Sequence, residues 1–328
     1  MPQAIQMHQY GDLHVLHLAK VTLPPLQPDE IRFRVIAAAV NRADIEIRSG
    51  KWPIMAPQPF PYTPGLEALG DVIELGREVS YPTVGERVIT MMQQLGGIHG
   101  IRPGGYQEVV TVEAGKVAPV PPQLNPFDVA ALGLAAITAH NGLKRLNLAA
   151  GHTVVIHGAS GGVGSAAVSI AKVLGARVIA TTSSPAKDDY LRTVVGVDDI
   201  VHLRQQRLTD RLGPRSVDAV LETIGAKTFT DSVAVLKRGG HLSLVGAASG
   251  EDLCFVAWDL LQDLHLTGYS SENLTGADLR ADMAQLCTWL ESGQLPAPPY
   301  QQYPLTEAAK VHELMERHEL LGRALLVP

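Results

Sequence analysis

Short β-branched and apolar runs, separated by proline and glycine, fill the first third of the chain. They fall at Ala4 to Met7, Leu13 to Ala19, Glu30 to Val40, Leu69 to Glu74, Arg87 to Met92 and Tyr106 to Val112. Strands at such spacing, with turn signals between them, predict a small, partly open β-barrel rather than a parallel sheet. The proline-started, alanine-rich stretch Asn125 to Asn147 then reads as helix. From His152 the texture changes to alternating strand and helix. Strands are predicted at 153–157, 176–181, 199–202, 218–222, 241–245 and 264–269, with helices at 162–174, 185–194, 206–212, 226–237 and 256–262. That alternation implies right-handed crossovers and a doubly wound parallel sheet, so the fold class is α/β. After Ser270 come an amphipathic helix near 277–292, a proline-punctuated stretch at 296–304, a helix at 305–317 and a strand, Arg323 to Val327. This tail is too small for its own domain. We therefore expect domains of 1–124 completed by 270–328, and of 125–269, with a cleft between them.

The most informative stretch runs from His152 to Leu174. Thr153 to Ile156 is the β-branched run of a buried parallel strand, and Gly162 to Leu174 has apolar residues at helical spacing. The turn between them is rich in glycine. A strand that turns straight into a helix aims unpaired N–H groups at one spot, and a pyrophosphate reaches them only where side chains do not intervene. Gly161, Gly162 and Gly164 leave that space open. Ala159 stands at the first position of the G-x-G-x-x-G fingerprint, with an extra Gly158 before it. Ala159, Ser160, Gly161, Gly162, Val163 and Gly164 are therefore candidate cofactor-binding residues in a six-stranded Rossmann sheet. A purely structural turn is the alternative.

The end of the next strand distinguishes the dinucleotides. An Asp or Glu there would bond the ribose hydroxyls of NAD. Here the chain has Thr181, Thr182, Ser183 and Ser184, followed by Lys187. Hydroxyls and a cation suit a 2′-phosphate, so NADPH is favoured over NADH. Ser183 and Ser184 could equally cap the helix that begins near Pro185.

Bulk properties narrow the field. A length of 328 residues suits two domains, and a net charge of −6 argues against general affinity for nucleic acid or anionic membrane. The longest apolar run, Val129 to Ala139, is too short to span a bilayer. No cationic stretch leads into an apolar one at the start, and Cys254 and Cys287 form no framework, so a cytoplasmic protein is expected.

Several motifs then fall in one order: Asn41 to Asp44 with Arg48 to Gly50, Pro64 to Gly70, Gly85 to Val88, Gly104 to Glu108, Ala136 to Ala139 and His157 to Gly164. Together they resemble the medium-chain dehydrogenase/reductase superfamily, and within it the zeta-crystallin-type quinone oxidoreductases. The resemblance implies a chaperonin-10-like catalytic domain, a Rossmann domain and NADPH-dependent reduction of a quinone or an α,β-unsaturated carbonyl. It also implies a homodimer or homotetramer. Zinc-dependent members carry Cys and His ligands where this chain has Asn41 and Leu66, which leaves Glu67 alone. They also have a four-cysteine lobe, whereas Met91 to Gly105 has no cysteine. No zinc is therefore expected, and His99 in that stretch reads as a solvated surface residue.

The same resemblance places three residues at the reacting centre. Asn41 would donate its amide N–H to the substrate oxygen, Thr138 would pack on the nicotinamide, and Trp52 would stack on a planar ring. Their plainer roles are a turn Asn, a helical Thr bonded to its own backbone and a hydrophobic plug. Glu46 and Trp52 replace tyrosines found in many relatives, so no tyrosine acid is expected there. Asp44 and Arg48 would pair one turn apart. Leu203 replaces a cofactor-binding tyrosine and is followed by Arg204, which could compensate. Gly225, Gly246 and Ala247 match loops on the nicotinamide side, and Arg323 could approach the phosphate or lie on the surface. Three functions remain open at this point: a quinone reductase, a reductase of enals, enones or enoyl thioesters, and an NADPH-binding protein with a non-catalytic role. The loops 50–62 and 91–102 would separate the first two.

Overall fold

The computed structural model describes residues 1–52, 60–93, 95–96 and 102–328. Parts of the two discriminating loops, and His99 with them, lie outside the described residues. The described chain forms two compact units. One comprises Met1–Leu134, Ser271–Gly293 and Ala297–Pro328, and the other Ala135–Ser270 with Gln294–Pro296.

The first unit opens with an antiparallel pair, β1 (Gln3–Gln6) and β2 (His17–Lys20). There follow β3 (Glu30–Ala39), α1 (Arg42–Arg48), β4 (Glu67–Leu75), β5 (Arg87–Met91), β6 (Val109–Glu113), β7 (Ala118–Pro119) and α2 (Pro126–Lys144), inside which the chain changes unit. β3 organises this sheet because alternating Ile31, Phe33 and Val35 face the core. Its first half pairs with β6 and its last residues with a strand from the C-terminal end, while its other edge pairs with β4. One strand with two successive partners on one edge belongs to a strongly curved, partly open sheet.

The second unit runs β8 (Thr153–Ile156), α3 (Gly162–Val173), β9 (Arg177–Thr182), β10 (Asp199–His202), α4 (Leu208–Leu212), β11 (Val217–Glu222), α5 (Ala226–Ala234), β12 (Leu236–Leu244), α6 (Ala257–Leu260) and β13 (His265–Gly268). Its six strands are parallel in the order β10-β9-β8-β11-β12-β13. This is the doubly wound arrangement, with its order reversing between β8 and β11. Val155, Ile179, Val201, Val220 and Leu242 from the strands meet Leu208, Phe229 and Val233 from the helices. Each such side chain removed from water contributes roughly 1.5–3 kcal/mol.

The chain closes with α7 (Gly276–Glu291), β14 (Tyr300–Pro304), α8 (Ala308–Glu316) and β15 (Arg323–Val327). β15 pairs antiparallel with β3 through Ala38 and Ala39, and parallel with β14.

Several elements differ from their expectation. Leu13 to Ala19 is not one strand: the Asp12 carboxylate accepts the His14 N–H and turns Leu13–Val15 into 3₁₀ helix before β2. The predicted helix 185–194 is a 3₁₀ turn, Pro185–Lys187, followed by a π turn, Tyr190–Val195. The β-branched run Thr193 to Val195 fits regular helix poorly, and Gly196 ends it in a left-handed conformation. α5 stops early because Leu236 already belongs to a strand that continues through Gly239 and Gly240, which read as a turn. The proline-rich stretch conceals β14, an edge strand where Pro304 removes no ladder hydrogen bond.

The largest departure is in α2, expected to be unbroken. Gly133 has φ +37° and ψ −142°, and a Cβ there would stand 2.0 Å from Glu67 Oε2. Only glycine allows that backbone and that approach together. Gly133→Ala is therefore expected to destabilise the chain by about 2–4 kcal/mol in urea unfolding. A loss below about 0.5 kcal/mol would mean that the carboxylate can withdraw.

Candidate active site

In the first unit, Asn41 precedes α1 in an extended conformation, and the Asp44 carboxylate reaches back to its N–H at 2.8 Å. This is half of a capping box, and it fixes the backbone at the strand-to-helix corner. The Asn41 side chain is equally constrained. Its amide N–H groups donate to Glu67 Oε1 at 2.7 Å and to Ala39 O at 3.3 Å, while its oxygen accepts from Arg323 at 3.2 Å. Arg323 also donates to Glu67 Oε1 at 2.7 Å and to Val40 O at 3.3 Å. The other Glu67 oxygen accepts Leu134 N–H at 2.8 Å, a donor that the Gly133 break frees from the helix ladder.

Glu67 is 2% and Arg323 5% exposed. Burial raises the Glu67 pKa, and the Arg323 charge opposes the shift. Two expectations change accordingly. Arg323 does not lie on the surface but pairs with Glu67, because a buried carboxylate demands a cationic partner. Both Asn41 donors are spent inside the protein, so this amide is not free to polarise a substrate oxygen.

Asp44 does not pair with Arg48. Its oxygens accept from Asn41 N, Leu66 N and the Tyr106 hydroxyl, the last at 3.1 Å. The Tyr106 oxygen lies 3.1 Å from His312 Nε2, and His312 Nδ1 lies 3.3 Å from an Arg48 nitrogen. Arginine only donates, so Nδ1 must accept, and the proton sits on Nε2. The donors then run one way, from Arg48 through His312 and Tyr106 to Asp44. Burial pushes Asp44 up to about 7 from the ordinary 3.8, despite its donors. Burial, followed by the Arg48 charge, pushes His312 down to about 3.

In the second unit, the turn after β8 takes its shape from glycine for two different reasons. A Cβ on Gly164 would stand 2.2 Å from Gly158 O, so the packing of turn against helix excludes it. Gly161 has φ −85° and ψ 171°, open to any residue, and a Cβ would meet only Gly158 O at 3.4 Å. Nothing within the protein demands glycine at 161, which leaves the space in front of it for a close-fitting ligand. Ser165 N–H bonds Gly161 O, so the N–H groups of Gly162, Val163 and Gly164 have no partner within α3. Ala159 is fully buried, and Ser160 lies 3.4 Å from Lys187 Nζ. These residues fit a diphosphate with an added phosphate beside it.

The other candidates separate. Thr181 is 1% exposed and its hydroxyl is bonded to His157 at 2.9 Å, so it supports the turn from beneath and faces no phosphate. Ser183 is exposed, and Ser184 makes no side-chain cap; Thr182 Oγ1 accepts the Ser184 N–H instead. Arg204 is exposed. Gly225 (φ +85°) and Gly246 sit where a Cβ would meet Gly250 O and Thr223 O, and Ala247 is exposed between them. Thr138 is 8% exposed and makes no hydrogen bond to the described residues, so the plainer alternative, a bond to its own backbone, is not formed. Trp52 donates its indole N–H to Glu272 at 3.0 Å.

Comparison with known proteins bears on these two sites. Residues 27–122 match a sequence family described as the alcohol dehydrogenase GroES-like domain, and residues 162–292 one described as zinc-binding dehydrogenase. Quinone oxidoreductase 1 of Escherichia coli is 28% identical over 340 residues, covering 100% of both chains. A solved structure, the E. coli quinone oxidoreductase complexed with NADPH, has a TM-score of 0.87 at 28% identity and covers 99% of this chain and 100% of its own. Polyketide synthase GfsB of Streptomyces halstedii is 32% identical over 305 residues; the match takes in 92% of this chain, which spans only 5% of that protein. The chain belongs to the quinone oxidoreductase branch of the medium-chain dehydrogenase/reductase superfamily.

Membership of this branch raises the question of zinc, since one matched family is described by it. Leu66 is apolar, the Asn41 amide is engaged, and both Glu67 oxygens are taken by Arg323, Asn41 and Leu134. That donor set does not fit a zinc ion. Among the described residues, no group of three or more His, Cys, Asp or Glu is placed to hold a metal, and no helix is long and apolar enough to cross a membrane.

Sequence reasoning missed Tyr106, His157, Glu222, Ser232 and His312, all buried polar residues. The side-chain partners of Tyr106, His157 and His312 lie far along the chain, whereas Glu222 is bonded within the segment Ile224 to Ser232, whose hydroxyls carry no periodic signal.

Two outcomes follow for the first unit. Glu67→Gln leaves Arg323 buried without its counter-ion and should cost about 3–5 kcal/mol in denaturant unfolding. Folded Asp44 holds its proton up to about pH 7, whereas the unfolded group loses it near 3.8. The folded state therefore binds more protons between those values, and this contribution to stability falls as pH rises through them. The stability of the wild type relative to Asp44→Asn should decline from about pH 4 to 7, by at most about 1.4 kcal/mol per pH unit. A flat difference would show that Asp44 titrates normally.

Proposed function

We propose that this chain reduces a quinone with NADPH and without a metal ion. The observation that carries the reading is the turn after β8, where free N–H groups and an unfilled Gly161 stand beside the half-buried Lys187. NADPH, when bound, supplies a hydride from its nicotinamide ring. The N–H groups of Gly162 to Gly164 and the positive end of α3 would hold its diphosphate. Lys187, Ser160 and the exposed Ser183 would receive the 2′-phosphate, and Asp188, the first carboxylate after β9, is taken up by His202 at 2.8 Å. Burial lowers the Lys187 pKa, so a bound phosphate would find a poorly hydrated, responsive cation.

The acceptor follows from what the first unit lacks. With both Asn41 N–H groups engaged, this side chain offers a substrate carbonyl little polarisation. A quinone needs little, because conjugation spreads the incoming electron pair onto oxygen and water can protonate it. The 28% identity to E. coli quinone oxidoreductase 1 supports the same acceptor. The reading extends to a homodimer or homotetramer in the cytoplasm, with light scattering as the test of subunit number.

Initial rates with NADPH and NADH across 1,2- and 1,4-quinones, enones and enoyl thioesters test the assignment. Quinones should be preferred with NADPH, and a chelator should leave the rate unchanged. Faster turnover of enones or thioesters would move the chain to double-bond reduction. Lys187→Ala should raise KM for NADPH by about 10- to 100-fold, the worth of one charge-assisted bond, with KM for NADH unchanged. Equal effects on both cofactors would remove Lys187 from the phosphate site.

A further inference from the structure

The cofactor loops of the second unit are tied together beneath the surface by residues outside the glycine turn. Glu222 ends β11 fully buried and receives four donors. One oxygen accepts Ile224 N at 2.8 Å, Gly225 N at 3.1 Å and the Thr228 hydroxyl at 2.9 Å, and the other accepts the Ser232 hydroxyl at 2.7 Å. Ser232 Oγ in turn lies 2.9 Å from His157 Nε2, and His157 Nδ1 lies 2.9 Å from the Thr181 hydroxyl.

The proton positions follow from the chemistry. With the Ser232 hydrogen directed to the carboxylate, its oxygen must accept from His157, so Nε2 carries the proton and Nδ1 accepts from Thr181. Burial lowers the His157 pKa, in keeping with a neutral ring. One directed chain thus links the ends of three adjacent strands. His157 is the residue before the glycine turn, Thr181 lies beneath the segment leading to Lys187, and Glu222 holds the loop at Ile224 and Gly225. The last of these extends to the fourth strand end, because Ser249 donates to Ile224 O from both its backbone and its hydroxyl.

We propose that Glu222, Ser232 and His157 are positioning residues for the cofactor: they touch no ligand, but they set the mutual spacing of the loops that do. The proposal rests on the NADPH reading above. Its consequence is selective. Breaking the chain lets the loops drift, which weakens binding, whereas a cofactor forced on at saturation meets the same reacting groups.

Titration of protein fluorescence with NADPH, together with steady-state kinetics, tests it on full-length wild type, Glu222→Gln and Ser232→Ala. Ser232→Ala removes one hydroxyl and no backbone contact, so it keeps the test open should Glu222→Gln fail to fold. The expected result is a rise of about tenfold or more in Kd and KM for NADPH with kcat within about twofold, a split that general loosening of the fold would not give. Nitrogen shifts of ¹⁵N-labelled His157 should report a neutral Nε2–H ring in the wild type and loss of that preference in Ser232→Ala. Wild type that binds NADPH while both folded variants bind within about twofold of it would overturn this inference alone. Wild type that does not bind NADPH would overturn the functional reading and the inference with it.

Discussion

A carboxylate removed from water must be surrounded by donors, and the Glu67–Arg323 pair shows how much structure that requirement can organise. One buried ion pair draws together the end of β3, the start of β4, the break in α2 and the first residue of β15. These segments are as much as 283 residues apart in sequence. Desolvation alone would make either charge costly, so neither can leave without stranding the other. The oddities nearby follow from it: the left-handed Gly133, the Leu134 N–H outside its helix and the saturated Asn41 amide.

The second unit repeats the solution with different chemistry. Glu222 has no cation and is satisfied by two backbone N–H groups and two hydroxyls, with a neutral histidine behind one of them. Small neutral donors can be supplied by a loop and the first turns of a helix, so the carboxylate holds a loop rather than a pair of distant strands. In both units a buried carboxylate fixes backbone. The positions proposed for the cofactor, such as the half-buried Lys187 and the Gly161 turn, then need few partners of their own.

The contrast also bears on the reaction. A dehydrogenase that polarises its substrate through a metal needs ligands at the corner where this chain has Asn41, Leu66 and Glu67. Here that corner is closed by internal hydrogen bonds. A conjugated acceptor, which carries its own electron sink, is the class of substrate such a corner can serve.

Much was legible in the chain because it depends on local periodicity. The switch from proline-punctuated strands to strand–helix alternation at His152 specified the parallel sheet, and Gly161 to Gly164 marked the turn from strand to helix, since close backbone approach is written directly in glycine. Local signals failed where a side chain acted at a distance or where a strand borrowed its partner. β14 hides among prolines because an edge strand tolerates them, Gly239 and Gly240 look like a turn but run within β12, and Ser183 and Ser184 look like caps but make none. Asn41 could be recognised as the residue at the corner, yet only the fold shows that Glu67 and Ala39 take its donors. The sequence by itself determined the two kinds of sheet and the place of the glycine turn between β8 and α3, because both rest on spacing over a few residues. The tertiary structure alone decided which buried charges meet, because Coulomb and desolvation energies depend on separation in space and are indifferent to separation along the chain.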